Sequence, residues 1–192
     1  MFSNQKGSTM LETIGAMMVV SMVSIGIISL IGKMFSAFKQ NMVENEIKEI
    51  QKNITDRYRA DGNYANLKGI SAEDAYKEKL IPTKMFADGG IMHSQNGDVE
   101  ITVVDGAEDY FNITFRELTR RSCIDLSQLM WNSTQSTDLY AITINEENSF
   151  IVPLKSNGIK SGDENALPVT VKKAVDSCNE KDGKNMITWT FY

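Results

Sequence analysis

Between Glu12 and Lys33 the chain has 20 consecutive residues without a charge. Thirteen of the 18 positions in Ile14–Ile31 are apolar, and the others are Gly or Ser. As a helix this stretch spans about 30 Å, enough for the hydrocarbon core of a bilayer. The run is longer than the roughly 7–15 apolar residues of a signal peptide. The nearest small-residue site after it, Phe35-Ser36-Ala37-Phe38, lacks the A-x-A form. A membrane-spanning segment therefore reads better than a cleaved signal, and the rest of the chain must fold in a different solvent.

Composition agrees once it is divided. Residues 1–40 carry Lys6, Lys33, Lys39 and Glu12, a balance of +2, which leaves −7 for residues 41–192 out of the total of −5. Seven of the 11 methionines lie in the first 42 positions. An acidic body argues against a nucleic-acid partner held by a basic surface. A single histidine argues against His-based metal sites and triads, and two cysteines alone do not make a structural zinc site. No P-loop, nucleophile elbow or zinc motif is present. The chain reads as a non-enzyme without a cofactor.

Glu12 does not suit a plain anchor. Met10 and Leu11 precede it and Thr13 and Ile14 follow, so it lies just inside the apolar stretch. An acidic side chain near the centre of a membrane helix costs about 2.5–3.5 kcal/mol, and less towards the interface. One reading is a functional carboxylate with a partner. The other is a headgroup-level Glu that favours the positive end of the helix dipole. Lys6 and the amino terminus balance Lys33 and Lys39, so the positive-inside rule leaves orientation open.

The helical pattern continues past the apolar run. Val43, Ile47, Ile50, Ile54 and Tyr58 are spaced as one helix face, with Glu44, Glu46, Lys48, Glu49 and Lys52 on the other. No Pro interrupts residues 8–59, so one helix of about 52 residues, roughly 78 Å long, is expected, ending at Asp61-Gly62-Asn63. A second helix is expected from Ser71, where Ser71-Ala-Glu-Asp74 resembles a capping box, to just before Pro82. Gly89-Gly90 and Asn96-Gly97 read as loops. Val99, Ile101 and Val103 alternate as a strand, Asp105-Gly106 turns, and Phe111, Ile113 and Phe115 alternate back. A helix from about Leu118 to Met130 follows. Leu139–Ile144 and Phe150–Leu154 read as a hairpin, then come a short helix to about Cys178 and a last strand, Met186–Tyr192. This order implies an α+β fold, a long amino-terminal helix packed on a mostly antiparallel sheet.

Cys123 and Cys178 both fall on expected helices, either as two buried thiols or as one disulfide. A membrane-spanning start with an exported body favours the bridge, which would stabilise by about 4 kcal/mol through the unfolded chain. His93 reads as a solvated loop residue, because no oriented neighbour suits it for general-base work.

Lys6-Gly7-Ser8-Thr9-Met10-Leu11-Glu12, running directly into the apolar helix, resembles the processing site of type IV pilins and the related pseudopilins. Further matches are Asp61-Gly-Asn-Tyr64 after the long helix, Ala166-Leu167-Pro168 before the last helix, and a Cys shortly before the terminal Trp189-Thr-Phe191. These resemble thin-pilus type IVb pilins, the kind linked to conjugative transfer. Two features depart from the pattern: the leader of seven residues is short for that class, and Ser at position 8, rather than Phe, departs from type IVa. Asp176, Glu180 and Asp182 resemble the calcium loops of some pseudopilins, but a solvated acidic turn is the favoured reading.

The resemblance implies a structural subunit with residues 1–7 as leader, 8–59 as the long helix and 60–192 as an extracytoplasmic head with a disulfide-closed carboxy-terminal region. About 13–32 would be transmembrane and 40–59 would pack on the head. It implies that a prepilin peptidase cuts between Gly7 and Ser8 and methylates the Ser8 amine. Glu12 would pair with that amine on a neighbouring subunit. The partners would be further copies in a helical filament, the inner membrane before assembly, and the inner-membrane assembly machinery. The product would be a bacterial cell-surface filament that serves conjugation or adhesion. Type II secretion pseudopilins and minor pilins share these features. A single-pass anchored extracytoplasmic binding domain needs neither cleavage nor a partner for Glu12.

Overall fold

The computed structural model describes residues 17–18, 38–39, 41–129, 138–151, 165–180 and 183–192. The chain divides into two compact units, Met1–Lys39 and Gln40–Tyr192. In the first, residues 17–18 and 38–39 are helical, with Met17, Met18 and Phe38 exposed. The expected membrane segment lies otherwise outside the described residues, and no described helix is long and apolar enough to cross a membrane.

The second unit opens with a helix described over residues 41–58, α1. Its expected face is buried throughout: Val43, Ile47, Ile50 and Ile54 are fully enclosed and Tyr58 nearly so. Burying each such side chain contributes about 1.5–3 kcal/mol, which outweighs the helix propensity that β-branched Val and Ile forgo. Lys48–Glu44 and Lys52–Asp56 pair one turn apart on the open side, at 2.6 and 2.7 Å.

Five strands form an antiparallel sheet: β3 (Val99–Val104), β4 (Ala107–Leu118), β5 (Leu139–Ile144), β6 (Asn148–Ile151) and β7 (Asn185–Phe191). Their order is β3-β4-β7-β5-β6, so the strand that ends the chain lies in the middle. Phe111 pairs with Phe191, Ile113 with Trp189 and Phe115 with Ile187. These residues point inward and share one core with the α1 face. On the opposite face of β4 and β7, threonine hydroxyls bond across the strands, Thr114 with Thr188 and Thr190 to Asn112 Oδ1.

Several boundaries differ from the sequence reading, among them the start of β6 at Asn148 rather than Phe150. The helix after Ser71 is only α2 (Ala72–Lys77). Lys79 turns left-handed at φ 58, and Leu80 N–H closes the end on Ala75 O, so Leu80 and Ile81 reach the core. The Asp88-Gly89 turn, with φ values of 51 and 78, joins two short strands, β1 (Phe86–Ala87) and β2 (Gly90–Ile91), where a loop was expected. Leu118 belongs to β4 and not to the following helix. Glu117, at φ 58, bulges the strand and turns Leu118 onto the buried face. The next helix, α3 (Arg120–Ser127), starts two residues later than expected because Thr119 caps it, its hydroxyl accepting the Ser122 N–H.

Candidate functional site

The carboxy-terminal region is built from two short helices and the ends of three strands. α3 and α4 (Val171–Ser177) are each capped by a threonine, Thr119 and Thr170, whose hydroxyls accept the third amide of the helix. This sets Cys123 in α3 and Cys178 at the end of α4 with Cα atoms 5.9 Å apart, and the two form a disulfide. Both cysteines are fully enclosed. Arg120 spans the same junction, donating from Nε to Cys178 O at 3.1 Å and from its terminal amine to Val175 O at 3.4 Å.

Beside the disulfide is a polar knot that sequence reasoning missed. Asn185, at the start of β7, is completely buried. Its Nδ2 donates to Leu118 O and Glu180 O, and its Oδ1 accepts from Glu180 N–H and Asn145 Nδ2. Asn145 Nδ2 also donates to Ser177 O, and its Oδ1 accepts the Met186 N–H at 2.9 Å. Two amides thus join the end of β4, the β5–β6 turn, the end of α4 and the start of β7. A buried amide with its bonds made is stable, and one left unmade costs about 1–3 kcal/mol. The signal available in the sequence was Asn at the head of an apolar strand, where its strand propensity is poor.

A second polar contact fixes α1. Glu46 is 1% exposed. Its carboxylate accepts from Lys84 Nζ at 2.9 Å and from the Ser94 N–H at 3.1 Å. The expected open-side residue is therefore a docking point for the segments that flank the β1–β2 hairpin. His93, expected as a solvated loop residue, is buried. Its ring stacks on Phe115 with centroids 5.0 Å apart. Nε2 donates to Arg116 O at 2.8 Å, and Nδ1 accepts the Gln95 N–H at 3.1 Å. Burial holds its pKa below the usual value, against the nearby backbone carbonyl and Glu46, which favour the proton.

The other expected site residues, Gly7, Ser8 and Glu12, lie outside the described residues, as does Asp182. Among the described residues no three His, Cys, Asp or Glu side chains converge as a metal site. Glu180 turns its backbone to Asn185.

The described head is thus a helix laid along one face of an antiparallel sheet, with a disulfide-closed carboxy-terminal region. The PilS N-terminal family model matches residues 37–192, and the chain belongs to that family. It is a type IV pilin, a structural protein and not an enzyme. Among solved structures, a type IVb pilin from Salmonella typhi is similar at 17% identity, over 76% of this chain and 97% of that one, with a TM-score of 0.49. TcpA, a type IV pilin from Vibrio cholerae El Tor biotype, is similar at 16% identity, over 80% and 99%, with a TM-score of 0.47. No curated protein matches.

Proposed function

We infer that the chain is a prepilin of the type IVb class, cleaved and then polymerised through its apolar helix into a helical filament. The observation that carries this reading is the family match over residues 37–192, directly downstream of the uncharged run at 13–32. Residues 1–7 form the leader, 8–59 the long helix and 60–192 the head. The precursor sits in the inner membrane through about residues 13–32. The buried disulfide suits a head outside the cytoplasm, because such bridges persist in oxidising compartments.

A prepilin peptidase cuts after Gly7 and methylates the amine of Ser8. The assembly machinery then draws subunits from the bilayer and stacks their apolar helices head to tail. Such contacts do not close on themselves and give a filament. In the filament core the Ser8 amine of one subunit meets the Glu12 carboxylate of its neighbour. Each charge would be costly there alone, and together they set axial register.

Mass spectrometry and amino-terminal sequencing of the native protein test the reading. A chain that starts at a methylated Ser8 is expected. A native chain that still begins at Met1 would instead indicate an anchored domain. Gly7→Val is expected to abolish the shorter band on a gel.

A further inference from the structure

Where α1 ends, a cleft of about 420 Å³ opens within the head. That volume lies in the range of about 300–1,000 Å³ typical of small-ligand sites. Tyr58, Tyr64, Tyr110 and Tyr192 line it. Tyr64 and Tyr58 are buried, whereas Tyr192 is 48% exposed. The aromatic wall is held from behind: Tyr64 packs on Phe111 at 4.6 Å, and Tyr110 stands edge-on to Tyr140 at 5.1 Å and to Tyr192 at 6.4 Å. Backbone bonds place two of the rings, Tyr64 N–H to Glu108 O and Tyr192 N–H to Asp138 O, both 2.8 Å. The cleft is therefore formed before any ligand arrives, which lowers the entropic cost of binding.

Charged side chains complete its lining, Arg59 from α1's end, Asp109 from β4 and Asp138 from the residue before β5. Among the described residues none of the three is engaged in an ion pair or a side-chain hydrogen bond. With two carboxylates against one guanidinium the lining disfavours an anion, and Arg59 competes with any cation for the carboxylates. Planar donor and acceptor groups beside aromatic faces suit a neutral polyol ring instead. The apolar C–H face of a pyranose lies against the electron-rich face of Tyr, and adjacent hydroxyls form paired bonds with carboxylate and guanidinium.

We propose that this tyrosine cleft is a binding site for neutral oligosaccharides. It lies wholly within residues 55–192, so it stands whether or not the amino-terminal segment is processed.

Calorimetric titration of the full-length chain tests this, in a zwitterionic detergent without a sugar headgroup. The probes are maltotriose, cellotriose and chitotriose, with tetramethylammonium chloride as the cationic comparison. At least one trisaccharide is expected to saturate below about 10 mM, the affinity of a few favourable contacts. Tyr192→Ala and Asp138→Asn are each expected to raise its Kd by about tenfold or more, while Tyr192→Phe keeps it within about threefold. Tyr76→Ala, on an exposed ring stacked on Phe86 elsewhere, should leave it unchanged. Thermal melting of each variant checks that the head is folded. The proposal is overturned if no trisaccharide saturates, if binding survives Tyr192→Ala, or if tetramethylammonium alone binds.

Discussion

His93 and Gly97 show how tightly one small turn is specified. The His93 N–H bonds Gly97 O, the Asn96 N–H bonds His93 O, and the imidazole lies flat on Phe115. A Cβ at Gly97 would collide with Arg116 O and the His93 ring. The first is backbone of β4, where the Arg116 N–H bonds Asp98 O, and cannot move cheaply. Gly97→Ala is expected to destabilise the head by about 1–3 kcal/mol, read from denaturant unfolding. A midpoint equal to the parent's would show that the turn has slack. The same geometry makes His93 a pH-dependent element. Its folded pKa lies below the ordinary 6.5 because it is buried, so the unfolded chain takes up the proton first as pH falls. The neutral ring's contribution is complete above about 6.5 and declines as pH drops towards the folded pKa. The melting temperature should therefore fall between about pH 7 and pH 5, and His93→Gln should start lower but lose less over that interval. Parallel curves for the two proteins would remove His93 from the account.

At the scale of elements, two devices lock parts of the chain that have little local stability. α3 and α4 have 8 and 7 residues, too short to persist alone in water. The Cys123–Cys178 bridge closes 55 residues of chain around them. Cys123→Ser is expected to lower stability by about 2–5 kcal/mol under oxidising conditions. Reductant should then have no further effect on the variant, although it weakens the parent. Unchanged melting in the variant would mean that the Asn145–Asn185 knot and the core hold the region without the bridge. The helix positions and Cys residues were legible in the sequence. The knot was not, because Asn185 meets Leu118, Glu180 and Asn145 only after four separate segments converge.

At the scale of the whole molecule, the proposed filament needs an amphipathic helix whose far half is apolar all round. The head already uses Val43, Ile47, Ile50, Ile54 and Tyr58. In the proposed assembly the uncharged run from residue 13 onward is left for neighbouring subunits. Glu12→Gln is expected to leave cleavage after Gly7 intact and to reduce filament yield, seen as processed protein retained in the membrane fraction with few fibres by electron microscopy. Normal fibre yield would exclude a role for the carboxylate in register.

Periodicity and turn residues alone determined the α1 face, the two local hairpins and the antiparallel class, because these patterns are local and burial enforces them. The uncharged stretch and the Lys6–Glu12 string were likewise readable residue by residue. Only the tertiary structure decided that the terminal strand lies at the sheet's centre between β4 and β5. It also decided that Glu46 and His93 are buried. A strand's alternation states which side chains point inward but not which strand lies beside it. A polar residue's burial depends on partners brought from distant parts of the chain, and no local pattern records those.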